Sequence, residues 1–190
     1  MNPDVRKAYA DFDVEASRLL KRVRSEGKSV PCKKGCSACC HDVAWVVQPE
    51  ASEIVERVRS MPRKLREQVV EGLRQWLVGM RQSGLDPDDI RPDLRTYHRA
   101  KLRCPLLGAQ GLCMVYDVRP MACRGHYVQA PDSSVCSNRA VEPVIDTVEF
   151  PLAITQAVMT MLGDRGAAGL AELRDGLLPR VVGKMLGVED

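Results

Sequence analysis

Aromatic side chains are scarce: two Phe, two Trp and four Tyr make up 4% of 190 residues. That scarcity argues against a β-sandwich, whose strands favour aromatic and β-branched residues. It also leaves no aromatic array on which single-stranded nucleic acid could stack. Charge of one sign is lacking too, since 28 Lys and Arg against 25 Asp and Glu leave a formal +3. A dedicated nucleic-acid binder carries a larger basic excess, so such a partner is not expected. No run approaches the roughly 18 apolar residues of a membrane span, and no membrane association is expected. The opening MNPDVRKAYADFDVEASRLL contains acids and no apolar core or small-residue cleavage site, so it does not read as a secretory signal. A cytoplasmic location is expected. Phosphate loops, nucleophile elbows and paired-carboxylate signatures are missing, as are internal repeats. No reaction class is therefore named by motif, and enzymatic activity stays open.

What the chain does have is eight cysteines in two groups. Cys32, Cys36, Cys39 and Cys40 fall within nine residues, and Cys104, Cys113, Cys123 and Cys136 follow later. In a reducing compartment clustered thiols read as metal ligands or redox groups in preference to disulfides. The first group is spaced Cys-x3-Cys-x2-Cys-Cys, and Gly35 gives its loop the backbone freedom to aim several sulfurs at one centre. Soft, anionic thiolates suit zinc and iron-sulfur clusters, both of which use four-cysteine sites. The adjacent Cys39 and Cys40 point in different directions, so one of them is expected to serve a second site. His41 and His126 stand near cysteines, but eight thiols already suffice for two centres, and both histidines are expected at the surface or in hydrogen bonds. His98 has no such context. Tyr116, Arg119 and Arg124 are expected to brace the loops, with guanidinium groups bonding carbonyls or sulfurs. Met114 and Met121 read as packing residues, and Asp86, Asp88 and Asp89 as a solvated turn. Residues 32–41 and 99–139 together sum to +6, so the weak net charge conceals cations concentrated where thiolates would need them.

Length and patterning point to one domain, 1–190, mainly α, with helices packed around an irregular cysteine-rich metal-binding centre. Val5, Ala8, Phe12, Ala16, Leu19 and Val23 predict a helix over 4–26. Val43 to Val47 reads as a connector. Ala51, Ile54, Val55 and Val58 predict a short helix ended by Pro62, and Leu65, Val69, Leu73, Leu77 and Met80 a longer one closed by Gly84. GLDPDDIRPD reads as a turn-rich link. Residues 103–137 show no sustained period. Over 151–187, Leu152, Thr155, Val158, Met159 and Leu162 predict one helix. Leu170, Leu173 and Leu177, then Val181, Val182 and Met185, predict two more, separated near Pro179.

CKKGCSACC, then RCPLLGAQGLCMVYDVRPMACRGHYV, then VCSNRA together resemble the YkgJ-type cysteine-cluster family, a zinc- or iron-chelating domain, over a motif core of 32–139. The similarity includes all eight cysteines, the Val-Tyr-Asp-Val-Arg-Pro stretch at 115–120 and the Cys123-Arg124 pair. Three residues separate Cys32 from Cys36, where two also occur in the family. A similar cluster occurs in flagellin lysine-N-methylases, where an iron-sulfur centre is implied. The resemblance implies metal binding by these cysteines and names no reaction. A 4Fe-4S cluster is the favoured cofactor, because three cysteines of the first loop and one of the second group would close a cubane; zinc is the competitor. The expected role is a metal-binding or redox module that works with a protein partner. A protein-modifying or redox enzyme with a cluster near its active site, and a zinc-stapled structural adaptor, are the alternatives. No small-molecule substrate is indicated.

Overall fold

The computed structural model describes residues 1–33, 35–138, 147–162 and 175–188. Helix α1 (Pro3–Ser25) starts where the Asn2 side chain accepts the Asp4 amide at 2.8 Å and Pro3 presets the first turn. It buries Val5, Ala8, Tyr9, Phe12, Ala16, Leu20 and Val23, a stripe at helical spacing. That stripe packs on α6 (Pro151–Leu162), and Phe12 stacks obliquely on Phe150 at 5.5 Å, forming one core. Helices α2 (Gln48–Arg59), α3 (Arg63–Gln82), α4 (Leu94–Ala100) and α7 (Leu178–Met185) build a second core around Ile54, Leu73, Trp76, Met80 and Val182. The mainly α architecture expected from the periodicity is present, and no helix among the described residues is long and apolar enough to cross a membrane.

Two local expectations are corrected. Val43 to Val47 is more than a connector: strand β1 (Trp45–Val46) pairs antiparallel with β2 (Gly176–Leu177), Trp45 opposite Leu177. Two-residue strands are too short to show an alternation, and the partner lies 130 residues away in sequence, which is why neither was legible. Leu177 therefore sits in a strand instead of a helix, and Pro179 opens α7, where its missing N–H costs nothing. Leu170 and Leu173 lie outside the described residues. Helix α4 lies in a stretch to which the patterning assigned no element, and its start is set by Asp93 accepting the Thr96 amide at 2.8 Å.

A very short helix, α5 (Met121–Arg124), lies between the two cores. Glu50, in the first turn of α2 and only 2% exposed, joins them: its Oε2 accepts the Val47 amide at 3.2 Å and its Oε1 accepts the Met121 amide at 2.7 Å.

Candidate metal centre

Local backbone chemistry explains how each cysteine is placed. Cys32 and Cys36 sit in the loop after α1, and Cys39 and Cys40 in a 3-10 turn, Ala38–His41. The second group is carried by a small hairpin in which Leu107 bridges Cys113, the Gly108 amide bonds the Leu112 carbonyl at 2.9 Å, and Gly111 turns the chain at a φ of +72°. Cys123 rides on α5 after Pro120, and Cys136 lies in the 3-10 turn Ser133–Asn138, packed on Ala38–His41. One bond stitches the groups together: the Cys104 amide donates to the Cys40 carbonyl at 2.7 Å.

The result is a cavity of about 390 Å³ walled by six thiols, those of Cys36, Cys39, Cys40, Cys104, Cys113 and Cys123. Leu178 and Pro179 of α7 complete part of its wall. Cys32 is not among the lining residues. It packs with the α1–α6 core, and its Sγ accepts the Val128 amide at 3.2 Å. Cys136 does not line the cavity either. Among the described residues no three His, Cys, Asp or Glu side chains form a ready-made ion site; the sulfurs surround a space instead of meeting at a point. The donor chemistry nonetheless fits a thiophilic metal.

Electrostatics group the thiols more finely. Burial pushes Cys104 up to about 12, with the neighbouring Cys113 and Cys39 sulfurs adding to the rise. Burial also raises Cys113, and it raises Cys123 strongly, with Cys104, Cys39 and Cys113 reinforcing it. Cys39 is raised first by its side-chain hydrogen bond with Cys40 and then by burial. Cys39, Cys104 and Cys113 thus all act on Cys123, while Cys40 acts on Cys39, so sulfurs of both groups influence one another across the cavity. Opposing forces are already present. The Leu106 amide bonds the Cys104 sulfur and the Val115 amide the Cys113 sulfur, each two residues after its cysteine, while Arg119 favours the thiolate at Cys113 and Cys123 and Arg103 does so at Cys104.

Only part of the expected cation shell faces the thiols. Arg119 lines the cavity and lies over the Tyr116 ring at 4.2 Å, and its buried Nε has no hydrogen-bond partner. Arg124 turns towards α1: Nη1 reaches both Asp13 oxygens at 2.8 and 3.0 Å, Nη2 donates to the Asp117 carbonyl at 2.8 Å, and the guanidinium covers Tyr9. It braces the loop as expected, through a carbonyl, while its buried Nε has no hydrogen-bond partner. Lys34 and Arg139 lie outside the described residues. Met121 is buried and Met114 partly so, both packing as expected.

The histidines divide. His126 lines a different cavity, and His41 presents a buried Nδ1 with no hydrogen-bond partner, which departs from the surface or hydrogen-bonded role expected for it. His98, which had no apparent context, is buried and bonds Asp42 through Nε2 at 2.8 Å, and Asp42 itself lines the thiol cavity with Tyr97. Sequence reasoning missed Asp42, Tyr97 and Arg57 as wall residues, since none of them carries a spacing signal and only the fold brings them to the thiols. The solvated-turn reading of Asp86, Asp88 and Asp89 holds, since all three are exposed; Asp88 also pairs with Arg180 at 2.9 Å and Lys184 at 2.7 Å, whose bonds hold its carboxyl down at about 2.

Comparison with known families matches residues 31–140, more than half of the chain, to the family described as "CxxCxxCC: Putative zinc- or iron-chelating domain". No curated protein and no solved structure matches.

Proposed function

Since the chain belongs to the CxxCxxCC family of zinc- or iron-chelating domains, we propose that it is a metal-binding module whose thiolates hold a 4Fe-4S cluster for a redox or partner-directed role. The observation that carries this reading is the single cavity of about 390 Å³ lined by six thiols. A tetrahedral ion draws four donors to a point, whereas a cluster occupies a space and takes its cysteines from around it. Cys39, Cys104, Cys113 and Cys123 are the proposed ligands, because the first three all act on Cys123 and all four line the cavity, with Cys36 and Cys40 beside them. This division differs from a loop supplying three ligands and the second group one. Arg119 and the amides of Leu106 and Val115 supply positive potential that an anionic thiolate centre requires.

Structural zinc is the second reading. It is favoured by the absence of any long element from Leu102 to Cys136, where a metal would staple short turns and supply on the order of 10 kcal/mol to folding. Purification without air, followed by metal and sulfide analysis and a visible spectrum, separates the two. A brown protein containing iron and acid-labile sulfide is expected. A colourless, zinc-loaded protein overturns the cluster, and a metal-free protein with titratable thiols overturns metal binding.

A further inference from the structure

A second cavity, of about 460 Å³, lies on the other side of α5 from the thiols. Cys123 faces the thiol cavity, whereas Met121 and Ala122, its neighbours on the same short helix, line this one. Its walls are largely apolar, drawn from Val46, Val148, Phe150, Ile154 and Val158. The polar groups in it are few: Glu50, Glu149 and His126, with the hydroxyls of Thr147 and Thr155. Its size and its lining, apolar with a few placed polar groups, are those of a small-molecule site.

The charge of the lining selects among ligands. The ionisable acids on the wall are Glu50 and Glu149, and no Lys or Arg among the described residues lines the cavity. Glu149 is exposed near the mouth, where its Oε1 accepts the Thr147 hydroxyl at 2.8 Å, while Glu50 stands deep in the wall. An anion would meet the Glu149 carboxylate beside an apolar wall, whereas a cation would gain from it. We propose that this cavity binds a small free amine, an ammonium group on a compact aromatic or branched apolar body, with the apolar part against Phe150 and Ile154 and the cation at Glu149. The proposal stands apart from the identity of the metal, since none of its residues is a proposed ligand.

The site also has a route to the thiol centre. Glu50 accepts the amide of Met121, the first residue of α5, and so holds the element that carries Cys123. Occupancy of the cavity is thereby in mechanical contact with one wall of the other.

The test uses the full chain with its metal as purified and three probes of similar shape: 2-phenylethylamine, 2-phenylethanol and 3-phenylpropionate. Binding is followed by calorimetry and by the fluorescence of Trp45, which lines the cavity. The amine is expected to bind about tenfold more tightly than the alcohol, and the carboxylate not to bind. Glu149→Gln, a change at an exposed position, should weaken the amine about twofold to fivefold and leave the alcohol unaffected. Thr155→Trp, which fills the cavity, should abolish binding of all three. Equal affinities for amine and carboxylate, failure of every probe up to its solubility, or undiminished amine binding by a folded Thr155→Trp protein each overturn the proposal. If Thr155→Trp does not fold, the Glu149→Gln result decides it.

Discussion

Replacing Glu50 with Gln tests how the two cores are joined. Burial raises the Glu50 carboxyl to about 7 from a reference of 4.5, against the pull of the Met121 and Val47 amides, Arg124 and Tyr9. A folded value above the unfolded one means that the folded state holds the proton more tightly. The associated stability is fully present below about pH 4.5 and is lost as pH rises through about 7. At 1.36 kcal/mol per pH unit the loss over that window is about 3 kcal/mol. Gln cannot ionise, so it removes this dependence. It also presents an NH₂ to one of the two amide donors, which costs about 1–3 kcal/mol at every pH. The stability of the wild type relative to the variant should therefore fall by about 3 kcal/mol between about pH 4.5 and pH 8, so that its advantage at low pH vanishes or reverses. Urea unfolding of both proteins across that range measures it, with the denaturant slopes compared to confirm the same transition. Thiol titration and metal release are common to both proteins and cancel in the difference, provided their metal contents agree. A difference that stays constant with pH would refute the reasoning, because it would mean that Glu50 is as ionisable folded as unfolded.

Serine substitution of the cysteines should sort them: Cys39→Ser, Cys104→Ser and Cys123→Ser should lower bound metal markedly, and Cys32→Ser, whose sulfur lies outside the cavity, far less, as metal analysis will show. Equal losses would sink the grouping. His98→Ala should keep its metal yet lose about 2–4 kcal/mol, since it empties a buried site and strands Asp42. Arg124→Lys cannot span Asp13, the Asp117 carbonyl and the Tyr9 ring together, and should cost about 2–3 kcal/mol in chemical unfolding, part of the ion pair being discounted because Asp13 is half exposed. Gly176→Ala should destabilise by about 1–3 kcal/mol, because φ is +149° there and a Cβ would lie 2.9 Å from Val181 Cγ2. An unchanged melting temperature would contradict that account.

The helices legible in the sequence are those with three or more turns and one apolar face, α1, α2, α3 and α6, where side-chain spacing and backbone period are the same fact. Helix α4 was hidden because its buried residues, Tyr97 and His98, are adjacent and polar, and because its capping Asp93 reads as part of the preceding turn. For the centre, spacing identified the thiols as a set but could not partition them. Which sulfurs share a cavity depends on where the hairpin Leu107–Cys113 and the turn Ala38–His41 meet, and that is decided by one long-range bond, Cys104 to Cys40. Charge sums fared similarly. A segment's cations can be counted in sequence, but only packing sends Arg119 towards the thiols and Arg124 away from them.

Leu178 and Pro179 line the thiol cavity although both lie outside the stretch matched by the family. They are brought there by the pairing of Trp45 with Leu177 and by the Leu178 amide donating to the Ala44 carbonyl at 2.8 Å. The donor atoms and the vessel that holds them thus belong to different parts of the polypeptide. A lineage could keep every thiol and still widen, narrow or dry the chamber by rewriting a C-terminal segment that carries no ligand. Proteins that share this cysteine pattern need not share a cargo, and the place to look for the difference is the stretch their common signature leaves out.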